Sequence, residues 1–197
     1  RGVMEDIYST YTTAATGTAF PFTDVAETRW SYPYIKELYD AGVVSGTSAT
    51  TFSPAANVTR AQFVTMLAGL AGADVSNCPA TPFRDVPEGA WYAPYVNWAL
   101  ANGIVSGTSA VTFSPDASIT RQDMAVMLYS YTQRFQVHLQ QQQPVKPFTD
   151  AGSIAAYAQI AVQTLQRAGV ISGMPDGSFQ PYGTATREQA CTMLCML

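Results

Sequence analysis

The fold is decided by a stretch of 46 residues that occurs twice and then returns in altered form. Residues 22–67 read FTDVAETRWSYPYIKELYDAGVVSGTSATTFSPAANVTRAQFVTML. Residues 83–128 read FRDVPEGAWYAPYVNWALANGIVSGTSAVTFSPDASITRQDMAVML, and about half of the aligned positions are identical. A more diverged copy, with one extra residue before its first predicted helix, begins at Phe148 and reads FTDAGSIAAYAQIAVQTLQRAGVISGMPDGSFQPYGTATREQACTML. Repetition of this clarity predicts three similar structural units.

Each copy has the same internal order of local signals. It opens with an F-x-D turn, in which the aspartate accepts backbone hydrogen bonds, and continues with apolar residues at the 3.6-residue spacing of a helix. In the first copy this stripe consists of Tyr34, Ile35, Leu38 and Tyr39. A glycine at the favoured position then ends the helix in each copy: Gly42, Gly103 and Gly169. A VVSG, IVSG or VISG segment and an F-x-P segment lead to a second helix.

The second helix of each copy is predicted to begin at a Thr-Arg pair. Thr59 with Gln62, and Thr186 with Gln189, match a capping box, in which each side chain bonds the other residue's backbone amide. Such a cap contributes about 1 kcal/mol. The second copy has the shorter Asp123 at this position, so its return bond is less favoured. Apolar residues follow at helical spacing, and the methionines among them are predicted to fill the core.

Capping leaves the arginine of each pair unexplained. At the first position of a helix a cation faces the positive end of the helix dipole, which costs roughly a few tenths of a kcal/mol. Three such arginines, in a chain with 10 Lys and Arg residues, indicate an anion nearby. One candidate is the aspartate of F-x-D, in a structural ion pair. The other is a ligand anion held by the guanidinium and by free amides at the helix start. The two are compatible, because an aspartate can orient an arginine that also binds ligand.

An aromatic residue stands near the start of the first helix in each copy. These residues are Trp30, Trp91 and Tyr157. From spacing alone, an aromatic ring at this position is either a plug for the core or a platform for a sugar ring.

Composition excludes some classes of partner. Apolar residues make up 47% of the chain, which suffices for a buried core, whereas charged residues make up only 12%. The net charge of −4 argues against binding to nucleic acid. Because no apolar run reaches 18 residues, membrane insertion is not expected. The surface is built largely from neutral polar residues, which suits a protein that works among sugars.

The sequence carries no signal for catalysis, a metal or a cofactor. The single histidine, His138, adjoins a glutamine tract and is predicted to be solvated. Cysteines occur at positions 78, 191 and 195 without the spacing of a metal site, and they are predicted to be small buried apolar residues, with a Cys78 disulfide as the alternative. The aspartates are dispersed by repeat rather than paired as in a glycosidase. We therefore predict a protein that is not an enzyme.

Taken together, these motifs resemble the S-layer homology family. The family's F-x-D-V opening, downstream Trp, G-I-I-x-G turn, F-x-P segment and I-T-R-A-E helix start are matched by FTDV, Trp30, VVSG, FSP and TRAQ in the first copy. The resemblance covers about residues 22–197, and where the family has Glu this chain has Gln62, Asp123 and Gln189. It implies an all-α spindle with pseudo-threefold symmetry, a central helix bundle and three prongs.

The resemblance also implies a function and a site. It implies an anchor at the extracellular bacterial cell surface or cell wall, in which grooves between the repeats bind secondary cell-wall polysaccharide that carries a pyruvate ketal. In the grooves, the glycines would allow close approach of the ligand to the backbone. The implied groove residues are Asp24, Trp30, Gly46, Arg60, Asp85, Trp91, Gly107, Arg121, Asp150, Tyr157, Gly173 and Arg187. The alternative is a module that assembles with neighbouring surface proteins into a layer.

The repeat positions predict the division of the chain. We expect repeat 1 at 22–77, repeat 2 at 83–140 and repeat 3 at 148–197, all in one compact domain, after an N-terminal segment, 1–21, that is predicted to be helical. Within that segment Arg1, Met4 and Tyr8 are spaced like the start of a second helix. The tract Gln140–Gln143 either extends the helix after Tyr131 or forms a linker, and Pro144 stops any helix at that point.

Overall fold

The computed structural model describes residues 19–197, which form six α-helices, two in each repeat. They are α1 (Tyr32–Asp40), α2 (Arg60–Leu70), α3 (Ala93–Ala101), α4 (Arg121–Arg134), α5 (Gln159–Arg167) and α6 (Arg187–Cys195). Two 3-10 helices, Ala151–Ser153 and Ala156–Ala158, precede α5 where repeat 3 has its extra residue. Since residues 19–197 contain three isolated β-bridges but no strand, the all-α class is confirmed. The predicted helix in 1–21 lies almost wholly outside the described residues.

The predicted helix boundaries agree with the local chemistry. Thr59 and Thr186 make complete capping boxes, whereas Thr120 accepts from the amide of Asp123 without a return bond. The first helix of each repeat ends before a glycine with φ of +72°, +68° or +73°, a left-handed conformation that costs glycine little. Helix α4 ends at Arg134, so the glutamine tract belongs to the linker.

The repeats pack in a closed ring. The second helix of each repeat packs against the first helix of the next, so that α2 contacts α3 and α4 contacts α5. Helix α6 of repeat 3 packs back on α1 of repeat 1 and closes the ring. Three antiparallel bridges repeat the same connection: Asn57 with Thr186, Thr59 with Ser118, and Thr120 with Thr184. Each repeat is thereby joined to both others.

A single apolar core runs through all three repeats. The phenylalanine of each F-x-P segment is completely buried, as are Ile35, Leu38 and Leu165 on the first helices. The methionines Met66, Met124 and Met127 are buried on the second helices, which confirms their predicted role in the core. Within residues 19–197, no helix is long and apolar enough to cross a membrane.

Candidate functional site: grooves between the repeats

The arginine of each Thr-Arg pair is buried, and its side chain crosses to the next repeat. Its Nε donates to the carbonyl oxygen of the phenylalanine in that repeat's F-x-P segment. The three bonds are Arg60 to Phe113 (2.8 Å), Arg121 to Phe179 (2.7 Å) and Arg187 to Phe52 (2.8 Å). Each guanidinium carbon also lies 4.5–5.0 Å from the centroid of the same phenylalanine ring. The arginine is therefore a clamp between repeats.

A second nitrogen of each guanidinium donates to the VVSG-type turn of the same neighbouring repeat. Nη2 of Arg187 bonds the carbonyl of Ser45 at 2.9 Å, and Nη2 of Arg121 bonds that of Ser172 at 3.1 Å. These carbonyl dipoles stabilise a cation at the unfavourable end of the helix dipole. Burial lowers the pKa of all three arginines, yet a guanidinium remains charged because its ordinary pKa is above about 12.

The amides at each helix start are already occupied, so the prediction that they are free to hold an anion is wrong. At α6, the amide of Arg187 donates to the carbonyl of Ala56 at 2.9 Å, and the amide of Glu188 donates to that of Pro54 at 3.0 Å. At α2 and α4 the equivalent bonds go to the carbonyls of the F-x-P proline and of the residue two positions after it in the neighbouring repeat. The third amide of each helix is bonded by the capping threonine. The first three amides of these helices are therefore not available to a ligand anion.

The aspartates of F-x-D do not form an ion pair with these arginines, which was one of the two candidates from the sequence. Asp24 instead accepts from the amides of Phe52 (2.9 Å) and Ser53 (2.7 Å) in its own repeat. Since the carbonyl of Phe52 belongs to the same peptide group as the Ser53 amide, Asp24 orients the acceptor that Arg187 uses. Asp85 and Asp150 hold the corresponding peptides of repeats 2 and 3. Each aspartate thus positions an arginine through one peptide bond.

The residue after each of these phenylalanines has a positive φ although it is not glycine. Ser53 and Ser114 have φ of +57°, and Gln180 has φ of +55°. A left-handed conformation costs an ordinary residue about 1–2 kcal/mol. Two hydrogen bonds from the aspartate offset this cost in each repeat, so the turn that presents the carbonyl is held against its local preference.

The three candidate platform residues are exposed, so the structure excludes the interpretation that they plug the core. Trp30 is 55% exposed, Trp91 58% and Tyr157 63%. Burial of an aromatic ring is favourable, and most large apolar side chains within residues 19–197 are buried. Exposed aromatic rings at equivalent positions of all three repeats are available to pack against a ligand.

The glycines of the turns are explained by packing within the protein. A Cβ on Gly46 would lie 2.4 Å from the ring of Phe22 and 2.4 Å from the carbonyl oxygen of Thr51. Gly107 and Gly173 are crowded in the same way by Phe83 and Phe148. Any side chain would displace the F-x-D phenylalanine, so glycine is required here without reference to a ligand.

One groove, which we call groove 1, brings together residues from all three repeats. It has a volume of about 730 Å³. Repeat 1 contributes Gly46 and Gln62, repeat 2 contributes Trp91, and repeat 3 contributes Arg187. From the sequence, each groove was expected to contain the candidate residues of a single repeat. Groove 1 instead combines the glycine of repeat 1, the tryptophan of repeat 2 and the arginine of repeat 3.

The charge of Arg187 in groove 1 is not balanced by a lining carboxylate. Its Nη1 has no hydrogen-bond partner within residues 19–197. In the same residues, Thr81 Oγ1 is the one buried side-chain polar atom that lacks a partner, so Nη1 of Arg187 must be in contact with solvent. Gln62 lines the groove at the position where the family has Glu. Its side chain is neutral and caps its own helix. Groove 1 is cationic.

Groove 2 has the same plan with two different side chains. Its volume is about 350 Å³, and it is lined by Arg60, Gly107, Asp123 and Tyr157. Asp123 stands where groove 1 has Gln62, and its Oδ2 accepts from Nη1 of Arg60 at 3.0 Å. Its Oδ1 accepts from the hydroxyl of Tyr157 at 2.7 Å. Burial and this bond raise the pKa of the Tyr157 hydroxyl to about 12, although most of the ring is exposed.

The third junction, groove 3, is defined by the equivalent positions Trp30, Arg121, Gly173 and Gln189. Nη1 of Arg121 has no partner within the described residues, as for Arg187 in groove 1. Gln189 is neutral and completes its capping box. With an unpaired arginine nitrogen and a neutral glutamine, this junction has the same side-chain chemistry as groove 1 at those two positions. None of the three F-x-D aspartates lines groove 1 or groove 2.

The sequence interpretation missed an ion pair that closes the ring. Arg29 donates to Glu188 with two nitrogens, at 2.8 and 2.9 Å, and Ser31 donates to the same carboxylate at 2.6 Å. Arg29 lowers the pKa of Glu188 below its ordinary value. At the junction of repeats 2 and 3, Gln122 occupies the equivalent position and accepts from the amide of Ala155. The signal was a carboxylate in the first turn of α6, but its partner is 159 residues away.

The remaining candidate residues give no second site. All three cysteines are free, and burial raises the pKa of Cys191 to about 12 and that of Cys195 as well. His138 is exposed in the linker. Residues 19–197 contain no group of three or more His, Cys, Asp and Glu side chains that is able to hold a metal ion.

The chain belongs to the S-layer homology domain family. The sequence profile of that domain matches residues 21–64, 82–125 and 147–191, which together are more than half of the chain. The three matches confirm the three tandem repeats.

Several known proteins contain a segment similar to this chain. An endoglucanase of a Bacillus species is 39% identical over 189 residues, 96% of this chain and 20% of that protein. A cellulosome-anchoring protein of Acetivibrio thermocellus is 28% identical over 78% of this chain and 35% of its own length. An S-layer protein of Bacillus thuringiensis subsp. finitimus is 27% identical over 92% and 21%. The chain thus spans about a fifth to a third of these relatives. The family and the relatives support an extracellular location at the cell surface or cell wall.

Proposed function

We propose that this chain is a non-catalytic anchoring module that binds an acidic polysaccharide of the bacterial cell wall through its grooves. The observation that carries the proposal is the unbalanced Arg187 beside the exposed ring of Trp91 in groove 1. A sugar that bears a pyruvate ketal matches both features, since it presents a carboxylate and an apolar ring face. The family and the anchoring relative support a role at the cell surface.

The groove has the chemistry expected of a saccharide site. Nη1 of Arg187 is available for the ketal carboxylate, and a charge-assisted bond of this kind is about twice as strong as a neutral one. Trp91 and Tyr95 line the same space, as do the hydroxyl-bearing side chains of Thr47 and Thr65. A few polar groups that fix orientation beside aromatic surface are typical of ligand sites.

Several grooves on one domain favour a polymeric ligand. A cell-wall polysaccharide presents many copies of the same unit, and the binding of a second groove is then intramolecular. Modest affinity in each groove therefore gives strong attachment to the wall. The clamp arginines hold the grooves in a fixed relation, because each one joins two repeats.

The partner domains are also part of the proposal. Two of the relatives named above are an endoglucanase and a cellulosome-anchoring protein, and this chain covers 20% and 35% of them. We infer that the module attaches other domains of a longer protein to the wall and contributes no catalytic residue itself.

Sedimentation with purified cell-wall sacculi tests the proposal. Wild-type protein is expected to sediment with untreated sacculi and to remain in solution after mild acid removes the ketal. Trp91→Ala should weaken binding, because it removes an exposed platform without disturbing the core. Arg84→Thr is the matched control, since it removes an exposed cation outside groove 1 and threonine stands at this position in the other repeats. Equal sedimentation before and after removal of the ketal would contradict the proposal.

Self-assembly in a surface layer is the second candidate function. It is favoured by exposed apolar side chains in repeat 3, namely Tyr157, Ile160 and Tyr182, which are 63–67% exposed. This function predicts oligomers that grow with concentration and dissociate on Ile160→Ser. Sedimentation velocity of the isolated chain separates the two candidates, since wall binding through the grooves needs no oligomer.

A further inference from the structure

Groove 2 differs from the other two grooves at two positions, and the two differences lie against each other. Repeat 2 is the copy with an acid at the third position of its second helix, and repeat 3 is the copy with tyrosine in place of tryptophan. The ring places Asp123 of repeat 2 beside Tyr157 of repeat 3. Two changes that are 34 residues apart in sequence thus form one contact.

The carboxylate of Asp123 is free for this contact because it does not cap its helix. In repeats 1 and 3 the longer glutamine returns to the threonine amide, as Gln62 does at 3.1 Å. Asp123 is one methylene shorter, and its carboxylate turns into groove 2 instead. There one oxygen binds Nη1 of Arg60 and the other accepts from Tyr157.

We propose that Asp123 is a built-in occupant of groove 2 that excludes acidic ligands from it. Its carboxylate takes the guanidinium nitrogen that is unpaired in grooves 1 and 3, and Tyr157 holds it there. With Arg60 and Asp123 paired, the lining of groove 2 has no net charge, whereas groove 1 keeps the charge of Arg187. Asp123 is therefore a specificity-determining residue, and the domain binds acidic sugar units in two grooves rather than three.

The inference rests on the proposed function only for the identity of the ligand. The exclusion itself concerns any carboxylate. A ligand carboxylate in groove 2 would meet both an occupied arginine and a like charge, and like charges placed together at an interface oppose binding strongly. The F-x-D aspartates do not create this difference, because one lies near the arginine of each groove.

Asp123→Gln gives groove 2 the residue found in the other grooves. The variant is expected to fold, since glutamine at this position completes the capping box in repeats 1 and 3. Asp123→Asn is the second variant, because it removes the charge with almost no change in size. Asp116→Gln is the control, since it removes the same charge from an exposed position outside groove 2. Thermal unfolding checks that all of them are folded.

Magnetic resonance titrations of the full chain with acetate follow the guanidinium of Arg60. Acetate supplies the carboxylate without the sugar. We expect the apparent affinity at Arg60 to rise about tenfold or more in Asp123→Gln and Asp123→Asn, and to stay at the wild-type value in Asp116→Gln. Equal responses of Arg60 in wild type and in both Asp123 variants would overturn the inference, whether all respond or none does.

A second titration separates this inference from the proposed function. The probe is a methyl hexoside with a pyruvate ketal, compared with the same hexoside without it. Wild type is expected to respond at Arg187 and Trp91 in groove 1 and at Arg121 and Trp30 in groove 3. Asp123→Gln should respond at Arg60 and Tyr157 in addition. If the ketal sugar perturbs neither groove in any protein while acetate discriminates as above, the proposed function fails and the role of Asp123 stands.

Discussion

Grooves 1 and 2 share one backbone plan and differ in the charge that they present. In both, an arginine from the preceding repeat donates to the carbonyl of a phenylalanine and lies over the aromatic ring of the same residue. In groove 1 the guanidinium keeps one nitrogen for the solvent, whereas in groove 2 that nitrogen binds Asp123. The arginine therefore has a structural role in every groove. Whether it also binds an anion depends on a neighbouring residue, Gln62 or Asp123.

The largest loss of ligand binding is expected when groove 1 is given the acid found in groove 2. Gln62→Asp places a carboxylate where groove 2 has one, and Arg187 should then be paired within the protein. Because like charges at an interface cost up to several kcal/mol, we expect binding of the ketal sugar to groove 1 to fall by about a hundredfold. Isothermal titration calorimetry measures the loss.

The control for this change is Gln62→Asn. Asparagine has the size of aspartate and also loses the return bond of the capping box, so it reports the cost of the cap without the charge. A loss of affinity in Gln62→Asn equal to that in Gln62→Asp would show that charge is not what distinguishes the grooves.

The next effect comes from the aromatic platforms. Trp91→Ala removes an exposed ring from groove 1, and tryptophan anchors of this kind contribute about 2 kcal/mol, or roughly thirtyfold in affinity. Tyr157→Ala should change wall binding by less than about twofold, since groove 2 does not bind the acidic unit. Sedimentation with sacculi compares the two variants, and a larger loss for Tyr157→Ala would reverse the assignment of the grooves.

A smaller effect, on stability rather than binding, is expected at the ring closure. Glu188→Gln removes the charge that binds Arg29, so the melting temperature at neutral pH should fall by a few degrees. Circular dichroism measures this shift. Binding of the ketal sugar to groove 1 should be unchanged below the melting temperature, because Glu188 does not line that groove.

The ion pair between Arg29 and Glu188 predicts that the melting temperature depends on pH. Since the pKa of Glu188 is lowered in the folded protein, its stabilisation is complete above the ordinary glutamate pKa of about 4.3 and is lost as the pH falls through the lower folded value. The difference in melting temperature between wild type and Glu188→Gln should therefore shrink between about pH 5 and pH 3. A difference that stays constant over this range would indicate that the carboxylate is not ion-paired.

The local features of the fold were predictable from the sequence. Capping boxes, glycine helix ends and apolar stripes are short-range signals, and the structure has them at Thr59, Gly42 and Leu38 as predicted. Exposure of Trp91 was left open, because this residue precedes the helix Ala93–Ala101 and the helical spacing of apolar residues does not apply to it. The sequence also indicated that Asp123 is less suited to complete a capping box, since its side chain is shorter than that of glutamine and does not reach the amide of Thr120.

The partners of the clamp arginines were not predictable, because they depend on how the repeats meet. Arg187 binds the carbonyl of Phe52, 135 residues away, and only the closure of the ring brings them together. For this reason the ion pair with Asp24, one of two candidates, does not form, and the expectation of free amides at the helix start was wrong. The F-x-P carbonyls that occupy those amides come from a neighbouring repeat, and Asp24 is used within its own.

The central claim is that an unbalanced guanidinium beside an exposed tryptophan binds an acidic wall sugar. A crystal structure of the wild-type chain with the methyl hexoside that carries a pyruvate ketal tests it most directly. We expect the ketal carboxylate within hydrogen-bond distance of Nη1 of Arg187, with the sugar ring against Trp91 and with Arg60 still bound to Asp123. A ligand bound to Arg60 in place of Asp123, or bound away from both Arg187 and Arg121, would contradict the account.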